Sequence, residues 1–378
     1  MYAVRGNLPG LLYSGMQINM LKKRVLISGN EAIAQGAIQA GCGFYAGYPI
    51  TPQNEIIAYM SKQMAACPAG RPKKGVFIQA ESELAAINMV YGASAAGVRA
   101  MTSSSSPGIS LKQEGISYIA GARLPAVIVN IMRGGPGLGN IAPAQSDYFQ
   151  ATRGGGHGDY HLIVLAPGSV QEAYDLTQVS FDLADKYRIP VMILGDGILG
   201  QMMEPVIIRR PKTQDRRPKQ QTKPWALTGC KGRKPNIVKS FFLREGALEE
   251  ANLKLQRNYE IIRKKEERFE CLFISEAKVI LVAYGTMARI AKSAISQLRS
   301  VGKKVGLIRP VSLWPFPQKP FNLKNKNVKY LVLEMSYGQM LEDVKLAVCG
   351  RQRIEFLGRS GGGVPNEAQI INKVMKIL

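Results

Sequence analysis

Phe77-Ile-Gln-Ala-Glu-Ser-Glu-Leu-Ala-Ala-Ile-Asn-Met-Val-Tyr-Gly-Ala-Ser-Ala-Ala-Gly97 is the stretch whose reading decides the fold. An apolar run ending at Phe77 and Ile78 gives way to small residues at helical spacing. This predicts a buried strand entering a helix whose first turn carries Glu81 and Glu83. In open α/β sheets such strand-to-helix junctions are where ligands collect. First-turn glutamates also complement the positive end of a helix dipole, so the stretch alone supports both readings.

Upstream, Arg24–Ser28 reads as a short strand and residues 29–40 as a small-residue helix with Asn30 as its cap. Tyr48-Pro49-Ile50-Thr51-Pro52 follows. Its two prolines either hold the Thr51 hydroxyl in a rigid turn, or mark a helix entry with Thr51 capping and Pro52 at the first helical position. The glycines from Gly41 to Gly47 imitate a dinucleotide fingerprint. They follow a helix instead of linking a strand to one, so that reading fails.

Downstream, Arg99–Thr102 predicts a strand edge leading into the serine loop 103–108. Leu124–Met132 has the continuous apolar character of a central parallel strand, with Arg133 at its carboxyl end before the loop Gly134–Asn140. An arginine there can clamp a carboxylate through parallel N–H donors, or form a structural ion pair. Residues 164–187 and Pro190–Leu194 continue the alternation, which predicts a doubly wound parallel sheet. His157 and His161 share a glycine-rich loop without neighbouring Cys or paired carboxylates, which argues against a metal site.

Beyond this unit, 206–275 reads as a basic connector followed by an amphipathic helix, with Leu248, Leu253, Leu255, Tyr259 and Ile262 on its apolar side. Strand-helix-strand repeats from Lys278 predict a second, smaller α/β domain. The expected division is 1–23 as a loosely ordered extension, 24–205, 206–275, and 276–378.

The chain has 378 residues, 46% of them hydrophobic, enough for sizeable cores. Its formal charge of +23 invites a nucleic-acid reading. Much of the excess lies between Arg209 and Lys239 without aromatic interleaving, which fits a solvated connector or a surface for an acidic protein equally well. Nucleic-acid binding is kept as a distant alternative. Five cysteines without a C-x-x-C pair offer neither a disulfide framework nor an iron–sulfur ligand set, and suit a reducing cytoplasm. No apolar run reaches the ~18 residues of a membrane span.

Taken together, Gly29-Asn-Glu-Ala32, Gly47–Pro52, Gln79–Ala86, Ser103–Gly108, Gly195–Pro205, Lys223–Gly229 and Arg309–Pro317 resemble the alpha-type subunit of 2-oxoacid:ferredoxin oxidoreductases, from about Arg24 to the C-terminus. The resemblance is nearest to the branched-chain enzyme acting on 3-methyl-2-oxobutanoate, and the 2-oxoglutarate enzyme shares most of these features. It implies a pyrimidine-binding-like thiamine diphosphate domain followed by a domain like the C-terminal one of transketolase. It also implies oxidative decarboxylation to acyl-CoA and CO2, with electrons passing to ferredoxin through 4Fe-4S clusters.

In that family a glutamate hydrogen-bonds the cofactor's aminopyrimidine. Spacing to Tyr91-Gly-Ala93 favours Glu83 for this role over Glu81. The same resemblance assigns Tyr48, Pro49, Ile50, Ser104 and Ser106 to the cofactor, and Thr51 and Arg133 to the substrate's carboxylate end. Gly195-Asp-Gly197 imitates the start of the Mg-diphosphate motif, but the expected Asn-Asn is replaced by Gln221-Thr-Lys-Pro-Trp-Ala226. Mg2+ and the clusters are therefore expected on partner subunits: a thiamine diphosphate- and Mg-binding beta subunit, a gamma subunit and a ferredoxin-like subunit.

Overall fold

A computed structural model describes residues 23–65, 75–208, 223–323, 325 and 327–378. The N-terminal extension, Cys67 and the first part of the basic connector lie outside these residues. The first half contains β1 (Lys23–Ser28), α1 (Gly29–Gln39), β2 (Phe44–Gly47), α2 (Asn54–Ala65), β3 (Val76–Gln79), α3 (Glu83–Ala95), β4 (Ala100–Ser104), α4 (Ser106–Gly121) and β5 (Ala126–Met132). It continues through β6 (Ile163–Leu165), α5 (Val170–Tyr187), β7 (Pro190–Asp196), α6 (Gly197–Gln201) and β8 (Met203–Ile208).

The second half holds α7 (Ala247–Lys265), β9 (Phe269–Leu272), β10 (Val279–Val282), α8 (Gly285–Ser300), β11 (Val305–Pro310) and β12 (Ser312–Trp314). It ends with β13 (Lys329–Glu334), α9 (Gln339–Val348), β14 (Ile354–Gly358) and α10 (Glu367–Ile377).

The main sheet has the order β12-β6-β7-β5-β4-β2-β3, and its strands run parallel except for β12. All seven residues of β5 are buried, as its continuous apolar run requires at the centre of a sheet covered on both faces. Small residues let the helices close on each other. A Cβ on Gly115 of α4 would lie 2.5 Å from Ile87 of α3, and one on Gly36 of α1 would lie 2.5 Å from the Tyr174 carbonyl of α5.

The second sheet, β14-β13-β10-β11-β9, is parallel apart from β9. β12, beyond the second sheet's β11 in the chain, crosses to the edge of the first sheet and pairs with β6. The strand at Arg24 joins neither sheet, since β1 and β8 form a separate antiparallel ribbon.

Three local readings are corrected. The cap of α1 is Ser28, in a capping box with Glu31, while Asn30 is buried and donates to Pro52 O and Glu55 Oε2. Helix α2 begins at Asn54, so Thr51 and Pro52 form a turn ahead of it. In α7 Leu255, Tyr259 and Ile262 are buried, but Leu248 and Leu253 are about half exposed.

The two halves are joined by buried polar contacts. Arg309, 4% exposed, donates from Nη1 and Nη2 to the two oxygens of Glu172 at 2.8 and 2.7 Å, and from Nε to Glu270 at 2.8 Å. Gln145 donates to the Tyr284 carbonyl and accepts from the Met335 N–H, both at 3.0 Å. Thr286 donates to Asp196 Oδ1 at 2.9 Å.

Replacing Arg309 by Met should leave Glu172 and Glu270 without their shared cation. Because both carboxylates remain partly solvated, the expected loss is roughly 2–3 kcal/mol, read as a lower urea midpoint at unchanged m. Burial pushes the Glu172 carboxyl up, but Arg309 and the Gly168 N–H outweigh it and hold the group below its ordinary value. Its contribution is therefore complete above the ordinary value of 4.5 and is lost as pH falls through the lower folded value. In urea unfolding as a function of pH, the deficit of Glu172→Gln should be constant near neutrality and close below about pH 4.5.

Candidate functional site

Because β2, β3, β4 and β5 run parallel, their carboxyl ends lie along one edge, and each delivers part of a single cluster. From β2 come Tyr48, Pro49, Ile50 and Thr51; Tyr48, Pro49 and Thr51 face outward, and Ile50 is half-buried. The chain passes through a cis bond from Thr51 to Pro52.

From β3 comes the pair of glutamates, which the structure separates. Ser82 caps α3 by accepting the Ala85 N–H at 3.1 Å, so the helix begins at Glu83 and Glu81 lies ahead of it. Glu81 is exposed, whereas Glu83 is 6% exposed. Among the described residues the Glu83 carboxylate receives no hydrogen bond.

From β4 come the serines. Ser103 and Ser104 are its last residues, not part of a loop, and α4 starts at Ser106. Ser104 is fully buried and its hydroxyl has no partner. A Cβ on Gly108 would run into that hydroxyl and would lie 2.5 Å from Glu83 Oε1. Gly108 thus keeps open the space into which Glu83 and Ser104 both point. Ser103 is engaged, donating to Gln53 Oε1 and bonded to the Tyr45 hydroxyl, both at 2.6 Å.

Ser106 is committed differently. It donates to Asp147 Oδ2 at 2.6 Å and accepts the Arg133 N–H at 3.0 Å, and Asn130 also donates to Asp147 at 2.9 Å. This ties the start of α4 to the end of β5 and commits the Ser106 proton to Asp147.

At the end of β5, Arg133 is 7% exposed. Its Nη1 donates to the Thr51 carbonyl at 3.0 Å and its Nη2 to the Leu138 carbonyl at 3.1 Å, while Nε has no partner. No carboxylate pairs with it among the described residues, so the ion-pair alternative falls. Two of five N–H donors seat the guanidinium, and its charge is free to meet an anion.

Sequence reasoning missed Asn130, Asp147 and Lys112. Asn130 is a polar residue inside the apolar run of β5, and that anomaly is an available signal, whereas Asp147 and Lys112 stand among polar neighbours that give none. Asp196, in the stretch that imitates a Mg motif, is 1% exposed and caps α6 by accepting the Ile198 and Leu199 N–H groups on the oxygen that also receives Thr286. His161 stacks on Trp314 with centroids 4.6 Å apart, far from this cluster in role, and burial pulls its imidazole below the ordinary value.

An open parallel sheet with an unpartnered buried carboxylate and a seated arginine at its carboxyl edge defines a cofactor-dependent α/β enzyme subunit. The family model described as pyruvate flavodoxin/ferredoxin oxidoreductase, thiamine diphosphate-binding, matches residues 35–258, and the model for pyruvate:ferredoxin oxidoreductase core domain II matches 277–370. The chain is 50% identical over 93% of its length to the ketoisovalerate oxidoreductase subunit VorB of Methanothermobacter marburgensis, covering 97% of that protein. It is 36% identical over 94% of its length to the 2-oxoglutarate synthase subunit KorA of Methanothermobacter thermautotrophicus, covering all of it.

Among solved structures, 94% of the chain superposes on 65% of the 2-oxoglutarate:ferredoxin oxidoreductase from Magnetococcus marinus at a TM-score of 0.82 and 28% identity. A split-gene transketolase shares the fold at a TM-score of 0.56 and 12% identity, with 93% of this chain and 97% of that one covered. The chain belongs to the pyruvate flavodoxin/ferredoxin oxidoreductase family.

The different commitments of the serines are measurable. Ser106→Ala should cost about 1–2 kcal/mol in urea unfolding because it strips partners from Asp147 and Arg133, whereas Ser104→Ala, which breaks no hydrogen bond, should change stability by less than about 0.5 kcal/mol.

Proposed function

We propose that the chain is the alpha-type subunit of a 2-oxoacid:ferredoxin oxidoreductase whose preferred substrate is 3-methyl-2-oxobutanoate, converted to the acyl-CoA and CO2 with electrons delivered to ferredoxin. The observation that carries this reading is the Glu83 carboxylate, buried and without a protein donor beside the equally unpartnered Ser104 hydroxyl. A buried anion in that condition calls for a donor from a bound group, and an aminopyrimidine ring supplies one. The residues present therefore fit the pyrimidine end of thiamine diphosphate.

When bound, the cofactor supplies the nucleophilic carbon and electron sink that decarboxylation of a 2-oxoacid requires. Glu83 would hold the pyrimidine nitrogen by a hydrogen bond, and Ser104 would add a polar contact at the same wall. The turn of Tyr48, Pro49 and Ile50 would border the ring. Arg133 and Thr51 would receive the substrate carboxylate, for which the guanidinium keeps N–H donors that its two carbonyl partners do not use.

Asp196 is consumed as a helix cap and interdomain acceptor, so Mg2+ and the diphosphate are assigned to a partner beta subunit. The 4Fe-4S clusters are assigned to a ferredoxin-like subunit, and a gamma subunit completes the complex. No helix among the described residues is long and apolar enough to cross a membrane, in keeping with a cytoplasmic assembly.

The branched-chain substrate is preferred to 2-oxoglutarate on the higher identity to the ketoisovalerate relative. The exposed Leu138 and Ile141 on the loop that follows Arg133 offer apolar contact to a branched side chain. The buried cation nearest the cluster, Lys112, is turned to the Glu83 carbonyl and does not offer a second carboxylate site.

In the complex assembled with its partner subunits, CoA-dependent viologen reduction should be fastest with 3-methyl-2-oxobutanoate, slower with 2-oxoglutarate and pyruvate. Glu83→Gln should lower kcat by about 10²–10⁴ with the fold intact by circular dichroism, and Glu81→Gln should leave it near the native rate. Absence of activity with every 2-oxoacid overturns the assignment, and a reversed effect of the two glutamates moves the cofactor role to Glu81.

A further inference from the structure

Lys112 is a cation to which the proposed function gives no role, and its side chain is fully buried in the middle of α4. Its neighbours on that face are Gly108 and Gly115, four residues before and three after it, and both glycines admit α3 to close approach. A lysine therefore occupies the centre of a tight helix–helix contact where an apolar residue would cost far less.

The ammonium donates to the backbone carbonyl of Glu83 at 3.2 Å. The other groups around it are neutral or turned away. Helix α3 carries one carboxylate, Glu83, and otherwise only Tyr91 as a titratable side chain. The strands beneath are β5, Ala-Val-Ile-Val-Asn-Ile-Met, without a charge, and β7, whose one carboxylate, Asp196, is taken up as the cap of α6. On α4 itself Glu114 accepts from Tyr118 on the exposed side. Burial pulls Lys112 down to about 8 against the opposing pull of Glu83.

We propose that Lys112 is a positioning residue that holds the first turn of α3 by its carbonyl and places a buried positive charge behind the Glu83 side chain that meets the cofactor. The inference rests on the assignment of Glu83 made above. Two buried groups of opposite sign on adjacent helices each lower the cost of burying the other. Because the ammonium is fixed by the Glu83 carbonyl, its influence reaches the carboxylate while the face toward the cofactor stays open.

The test uses the complete complex and reads thiamine diphosphate binding by fluorescence titration between pH 5 and 8, alongside the pH profile of kcat/KM. In Lys112→Met the acid limb of both profiles should rise by about one pH unit, with cofactor binding at the acid end weakened about tenfold. Lys112→Gln retains a donor for the Glu83 carbonyl but no charge, and should shift the limbs in the same way even where Lys112→Met fails to assemble. In a Glu83→Gln background, neither Lys112 substitution should change cofactor affinity further.

Native pH limbs in Lys112→Gln, while Glu83→Gln alone abolishes turnover, would overturn the role of Lys112 and leave that of Glu83 standing. Full turnover in Glu83→Gln would instead remove the assignment on which this inference rests.

Discussion

Parallel pairing of β2, β3, β4 and β5 is the constraint on which the remainder of the site depends. Parallel strands must all end on the same edge, so residues separated by as many as 82 positions in sequence, such as Thr51 and Arg133, meet at 3.0 Å. The contact is to a backbone carbonyl, which makes the Thr51 turn a fixed acceptor for the guanidinium. The Ser106 hydroxyl does the same work at the neighbouring strand end, where it joins the N-terminus of α4 to β5 through Arg133 and Asp147. With these ties in place, Glu83, Ser104 and Arg133 occupy defined positions before any ligand arrives, which is the condition for low reorganisation at a polar site.

The second half of the chain contributes to this rigidity. Arg309 bridges α5 and β9 through Glu172 and Glu270, and the strand that follows it crosses over to extend the first sheet as β12. Gln145, on the segment after the Arg133 loop, makes four hydrogen bonds into the second half through its side chain and backbone. The loop itself is held further along, where Asn140 donates to the Gly361 carbonyl at 3.0 Å. Movement between the halves would therefore be felt directly by the loop that seats Arg133.

Much of the sheet was legible because its signals are local and repetitive. The continuous apolar run of β5 has one physical explanation in a sheet buried on both faces, and it is central in the structure. The ribbon of β1 and β8 and the crossover of β12 were not legible, since pairing between strands far apart in sequence leaves no periodic mark.

The site was legible as a set of residue types at strand ends, and Glu83 could be separated from Glu81 only by helix spacing. Burial then showed what spacing could not: one glutamate faces solvent and the other does not. The serines show the converse failure, because Ser104 and Ser106 are chemically identical and two positions apart. Only the hydrogen-bond network reveals that the first is unpartnered and the second fully engaged.

The same bookkeeping of partners separates the two aspartate and glutamate positions that the sequence offered to a cofactor. An aspartate that receives two helix N–H groups and a threonine hydroxyl on one oxygen, as Asp196 does, is a structural acceptor at the joint between the two halves. Burial pushes its carboxyl above the ordinary value, against the hydrogen bonds that pull it down. Freeing it for a metal would uncap α6 and release Thr286, so the joint and a metal site compete for the same atoms. The position that resembles a metal motif in sequence is thus held by the fold itself, while the buried carboxylate that accepts no hydrogen bond among the described residues is Glu83.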